Sequence, residues 1–213
     1  MVNRRHFMQT ATAIGAGAGL AASAQSTNPA GPSPTALITD RLNDLGPESQ
    51  FIARRVGLWD LTETVWATPG ASAQVTTGLV AERTMMGALL QEFLRPPLDT
   101  GRQRVARTDL LTYNRLEGRW NYASFDMRAP VGLMPAWSTG RGDGATINLV
   151  FAPFSVPGPG KEVTGLLLRM EQTIRYQNAD NDVKDQYFTM ADGTGTKWLA
   201  HQYAYRRRAT AAV

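Results

Sequence analysis

Glu63, Tyr122 and His201 carry the functional groups in this sequence that suit acid–base chemistry. A carboxylate, a phenol and an imidazole gathered in one cavity would serve an isomerase or a cyclase. His201 belongs to Lys197–Arg206, where Leu199, His201, Tyr203 and Tyr205 alternate onto one face of an expected strand. Glu63 and Gln172 are the polar residues expected to point inward among apolar neighbours, and a buried polar group requires a partner. A carboxylate facing a histidine inside an open cavity would favour an enzyme. A collapsed cavity would favour a protein that acts through its surface.

Other reaction chemistries find few residues. The chain has no cysteine and two histidines, of which His6 lies in the N-terminal leader described below. With no H-x-H or H-E-x-x-H spacing, only dispersed carboxylates remain, and no metal site is expected. Asp180-Asn181-Asp182 lacks most of the oxygen ligands of a calcium loop and reads as a turn. There is no G-x-S-x-G elbow for a nucleophilic serine. Gly140-Arg141-Gly142-Asp143-Gly144 lacks the lysine and helix of a phosphate loop and reads as a hairpin turn.

Binding is the other chemistry that the residues suit. Trp120, Tyr122 and Ser124 alternate on one strand face, and Trp137 follows in Leu133–Trp137. With Met134, Met170 and Tyr187 they could line an apolar pocket, Gln172 and His201 being its polar handles. The alternative is that the same aromatics fill the interior.

The elements that must position these residues are strands. Beyond Gly57, segments of about ten residues rich in Val, Thr, Tyr, Trp and Leu alternate with Gly, Pro, Asn and Asp turn signals. Alternation is clearest in Leu166–Tyr176. Leu166, Leu168, Met170, Gln172, Ile174 and Tyr176 share one face; Arg169, Glu171, Thr173 and Arg175 share the other. Roughly ten such strands predict an all-β antiparallel meander, best stabilised by closing into a single barrel. Before it, Ala36 to Val56 predicts a short helix, a break at Gly46-Pro47 and a second short helix starting near Pro47.

The first residues address the chain. Arg4-Arg5, Phe7, a weakly apolar Ala/Gly run and Ala22-Ser23-Ala24 resemble a bacterial twin-arginine export signal. The resemblance implies recognition by the twin-arginine export machinery, cleavage near Ala24 and a periplasmic mature protein. Residues 25–35 read as a flexible linker, 36–208 as the barrel domain and 209–213 as a tail. The formal charge is +4, but the leader removes Arg4 and Arg5, and the remaining basic residues are scattered. Nucleic acid is therefore not an expected partner. No mature segment is long and apolar enough for stable membrane insertion. Nothing in the sequence specifies a homo-oligomer.

Gly57-Leu58-Trp59 opens the first strand directly after the short helix. A G-x-W there resembles the lipocalin-like (calycin) barrels. In that group the glycine lets the chain turn, the tryptophan plugs one barrel end, and a basic residue of the last strand packs on the indole. The resemblance gives that role to Arg206 or Arg207. Further matches are Pro47-Glu48, Gly78, Met86–Leu90, Leu111–Asn114 with Gly118-Arg119-Trp120, and Tyr203–Arg207. Together they resemble a bacterial family of uncharacterised domains over about residues 46–208, in which Ser49 stands where many relatives carry His. That family implies no catalytic residues. The related nitrobindin-like barrels bind haem through a histidine near the start of the C-terminal strand, and His201 is similarly placed. The W-x-G-x-G run of that group is absent here, where the chain reads Trp59-Asp60-Leu61-Thr62-Glu63. No cofactor is expected, with haem on His201 as the alternative.

The reading from sequence is an exported barrel that binds a small apolar or amphipathic molecule. The alternatives are an enzyme using the same cavity, a haem-binding barrel and a packed barrel acting through its surface. Changing Arg4→Lys together with Arg5→Lys is expected to block export, because the pair is read by a receptor and not as generic charge. Fractionation that finds the double variant processed and periplasmic would overturn the export reading.

Overall fold

The computed structural model describes residues 46–97, 104–129, 131–156, 166–191 and 193–209. The expected leader, linker, first helix and tail lie outside these residues. One helix, α1 (Pro47–Ala53), precedes eleven strands: β1 (Gly57–Val65), β2 (Gln74–Met86), β3 (Leu89–Arg95), β4 (Arg107–Asn114), β5 (Arg119–Asp126), β6 (Leu133–Ser138), β7 (Thr146–Phe151), β8 (Phe154–Val156), β9 (Leu166–Tyr176), β10 (Asn181–Met190) and β11 (Lys197–Arg207). Each strand pairs antiparallel with its sequence neighbours, apart from β8, which extends the edge begun by β7 along β9. Ala152 and Pro153 interrupt that edge, since proline offers no N–H to a ladder.

The sheet closes where the first strand meets the last. β1 pairs with β11 from Trp59↔Arg207 to Val65↔His201. The expected antiparallel meander closed on itself is what the chain forms, and ten strands make the ring. Side chains alternate between lumen and solvent as the pleat demands. In β9 the buried set is Leu168, Met170, Gln172, Ile174 and Tyr176, so its inward face follows the sequence pattern.

Helix α1 covers one end of the barrel. Proline at its first turn costs no hydrogen bond there. Its Ile52 is fully buried, and Phe51 meets Tyr176 edge-on with ring centroids 4.9 Å apart. The chain leaves the helix through Gly57, whose φ of +131° is strained for any residue with a Cβ. Trp59 follows and is completely buried. Its indole N–H donates to the Arg55 carbonyl at 2.9 Å, and the guanidinium groups of Arg83 and Arg207 lie 4.5 and 4.3 Å from its ring. The stacking arginine is thus Arg207 and not Arg206. Arg207 stands directly across the ladder from Trp59 and shares its face, whereas Arg206 is one residue out of phase and exposed.

Two further expectations fail by the same one-residue parity. In β6, Met134, Ala136 and Ser138 point inward, which turns Trp137 to the outer face, 38% exposed, beneath Arg119. In β10, Lys184, Gln186 and Phe188 face the lumen or its open end, and Tyr187 lies outside, 5.2 Å from the Lys197 ammonium. Neither residue lines an internal pocket.

Trp59→Ala is expected to cost about 3–5 kcal/mol, the range for truncating a buried large aromatic. A urea denaturation midpoint within error of the parent protein would show that the indole does not plug the barrel.

Candidate binding cavity

The interior is layered along the barrel axis. At the helix end, Trp120 packs edge-on against Tyr113 and donates its indole N–H to the Arg141 carbonyl at 2.8 Å. Halfway along lies a layer of buried charge. Arg83 (β2), Glu92 (β3), Arg107 and Asp109 (β4), and Asp182 and Lys184 (β10) all face the lumen and are at most 6% exposed. Arg55, just after α1, reaches in to join them at Asp182.

The layer is joined by hydrogen bonds and ion pairs. Arg83 Nε donates to Glu92 at 2.7 Å, and its Nη1 donates to Asp182. Lys184 Nζ donates to Asp109 at 2.7 Å and to Glu92 at 3.3 Å. The same ammonium lies within 5.7 Å of the ring centroids of Tyr122, Tyr203 and Tyr205. The Tyr205 hydroxyl donates to Glu92 at 2.8 Å, and the Ser124 hydroxyl to Asp109 at 2.6 Å. These contacts decide the protonation states. Burial alone would raise the carboxyl of Glu92, but Lys184, Arg83 and Arg107 outweigh it and hold it well below the usual carboxylate range. Burial would likewise raise Asp109, and Arg107 and Lys184 pull it down instead. Burial would lower Lys184, but Asp109 and Glu92 drive it well above the ordinary lysine value. An ammonium so held is no nucleophile. Burial pushes the Tyr122 phenol up, so it is no base at neutral pH. For Asp182, burial prevails over Arg83 and Arg55 and raises the carboxyl.

The charge in this layer does not balance. Among the described residues, the carboxylates within hydrogen-bonding or ion-pairing reach of Arg55, Arg83, Arg107 and Lys184 are Glu92, Asp109 and Asp182. Glu92 and Asp109 are shared among Arg83, Arg107 and Lys184, and Asp182 is shared between Arg55 and Arg83.

At the end away from the helix the interior opens into a cavity of about 150 Å³. Met134, Phe154, Val156, Met170 and Phe188 supply apolar wall; Arg107, Ser124, His201 and Tyr203 supply polar atoms. Its rim is a second charged group. Arg128, in the turn after β5, grips Glu63 with two N–H groups at 2.6 and 3.2 Å and also holds Asp126. His201 Nδ1 is 3.5 Å from Glu63 and 3.3 Å from the Tyr203 hydroxyl, and its ring stacks on Tyr203. Burial would raise Glu63, but His201 and Arg128 hold its carboxyl far below the usual range. It is therefore a weak base.

Of the residues marked from sequence, Ser124, Met134, Met170 and His201 meet in this cavity. Gln172 lies fully buried beside it, accepting at 2.8 Å from the amide of Gln186, which does line it. Trp120 sits at the helix end, and Tyr122 stands in the charged layer against Phe151; neither lines the cavity. Glu63 does face a histidine, but Arg128 claims both its oxygens. Arg107, Arg128 and Phe188 were not foreseen. Arg107 and Asp109 are separated by two, on the face of β4 that also carries Leu111. That alternation was the available signal, and charges on a buried face disguise it.

No protein-family model matches the chain, and no curated protein matches it. Among solved structures, the crystal structure of Rv2717c from M. tuberculosis is similar, with 15% sequence identity and a TM-score of 0.47, over 78% of this chain and 100% of that one. The fold of this chain stands on its own strand pairing.

The surplus of cations orders two substitutions. Glu92→Gln leaves four buried cations facing two carboxylates, and is expected to cost about 3–5 kcal/mol, as for breaking a buried pair. Lys184→Met leaves three facing three and is expected to cost measurably less. Urea denaturation compares them; Lys184→Met as damaging as Glu92→Gln, or more so, would refute the charge imbalance.

Proposed function

We propose that the protein binds a small, largely apolar molecule in the open end of the barrel. The observation that carries the reading is the cavity of about 150 Å³ walled by Met134, Met170, Phe154, Val156 and Phe188. Packed interiors leave few voids larger than a water. Within the charged layer the gap measures only about 30 Å³. An apolar void of roughly 150 Å³ holds a benzene-sized molecule, which sets the size of the occupant. A porphyrin is far larger, and no haem chemistry is built on His201. The lipocalin-like assignment and work in the periplasm belong to the same proposal, supported by Gly57-Leu58-Trp59 and by the leader residues Arg4, Arg5 and Phe7.

A second reading, an acid–base enzyme in the same cavity, is favoured by one observation: His201 lines the cavity within 3.5 Å of Glu63. Lys184, Tyr122 and Glu63 are each held in the wrong state or too weakly basic, which leaves the imidazole alone as a proton carrier.

Toluene should shift the methyl signals of Met134 and Met170 saturably in NMR spectra. Met170→Trp, which fills the space, should abolish the shift while the protein stays folded. Unmoved methyl signals at millimolar toluene would remove the binding reading. Chemical change of the added compound, lost in His201→Ala, would move the reading to catalysis.

A further inference from the structure

We infer that the occupant of this cavity is an acid: a benzene-sized, apolar carboxylate whose anionic head meets Arg107. The inference rests on the binding reading above and adds the charge of the ligand. Its first support is an unpartnered donor. Arg107 is 3% exposed and lines the cavity. Its Nη2 faces the Tyr205 hydroxyl at 3.5 Å and Glu92 at 3.6 Å, and its Nε lies 3.1 Å from Asp109. Nε–H and one Nη2–H project from the same edge of a guanidinium. That edge is turned to the charged layer. Nη1 occupies the other edge; among the described residues neither it nor Nε has a hydrogen-bond partner, Nε having only the ion-pair distance to Asp109. A buried cationic donor left open is costly, and an anionic oxygen satisfies it with a charge-assisted hydrogen bond.

The second support is independent of that atom. The buried layer holds one cation more than it holds carboxylates, and Arg107 is the member of the layer that reaches the cavity wall. One monovalent anion there neutralises the layer. The acidic groups nearest the cavity do not supply it. Glu63 feels the charge of Arg107, and it shares Arg128 with the cavity-lining Asp126, so the rim holds one carboxylate more than its arginine; among the described residues neither carboxylate comes within ion-pairing reach of Arg107. That rim group meets solvent through the half-exposed Arg128, where its charge is screened. Above Arg107 the walls are Met134, Met170, Phe154, Val156 and Phe188, which suit a hydrocarbon body. Size, wall and charge together describe a benzoate-like or short branched acid.

The test measures binding of benzoate, benzyl alcohol and toluene to the full chain, with the Met134 and Met170 methyl signals as reporters of place. Benzoate is expected to bind about tenfold or more tightly than either neutral compound, as one charge-assisted hydrogen bond allows. Arg107→Met leaves three cations facing three carboxylates. It is expected to fold, to keep toluene and to lose the preference for benzoate. Should that variant fail to fold, the three-compound series on the parent protein decides alone. Toluene binding as tightly as benzoate would overturn the acid and leave the apolar cavity standing. Benzoate binding that leaves both methionine signals unmoved would also overturn it, by placing the anion elsewhere. Failure of all three compounds would overturn the binding reading itself.

Discussion

Charge taken out of water must find opposite charge, and this requirement governs the interior of the barrel. Each ion buried in a protein costs several kcal/mol in lost hydration, repaid only by close and well-placed partners. Here the partners come from the adjacent strands β2 (Arg83), β3 (Glu92) and β4 (Asp109), and from β10 across the lumen (Asp182 and Lys184). A slip of one residue in any of these strands would turn its charge outward and strand the charges it serves. The layer therefore ties the register of four strands together across the lumen. An apolar filling of equal volume could be as stable.

The same layer divides the barrel into two ends of different character. The helix end is sealed by aromatics, with Trp59 held between Arg83 and Arg207. The other end keeps a cavity whose wall mixes the aromatic rings of Phe154 and Phe188 with the adaptable side chains of Met134 and Met170. Arg107 belongs to both regions. It sits in the ionic layer and in the cavity wall, so anything bound in the cavity is felt by the charges that hold the register.

Much of the architecture was legible in the sequence because one face of several strands is largely apolar. β9 is the clearest case, with hydrophobic residues at every second place and one glutamine among them. G-x-W after a short helix indicated the plug. The ionic layer was not legible, because charged residues on an inward face imitate an outward one. Arg107 and Asp109 look like solvent-facing residues until β3 and β10 are laid beside them. Trp137 shows the opposite error. A large aromatic suggests burial, but its neighbours Met134, Ala136 and Ser138 claim the inward positions, and parity leaves it outside. Register across strands is a long-range property, and a single strand read alone contains little of it.

The seam between β1 and β11 joins residues far apart in the chain; Arg207 bonds the carbonyl of Val56 across 151 positions. Most other pairings in the ring are hairpins that can form as the chain emerges. Closure cannot, since β11 is made long after β1. Until then the ring is an open sheet with two unpaired edges, the condition in which β-proteins associate with one another. The buried ions share this delay, because Lys184 and Asp182 arrive long after the arginines and carboxylates they must meet. The newly made chain thus has a window, set by the pace of synthesis, in which it is vulnerable to aggregation and depends on being kept apart from its own copies.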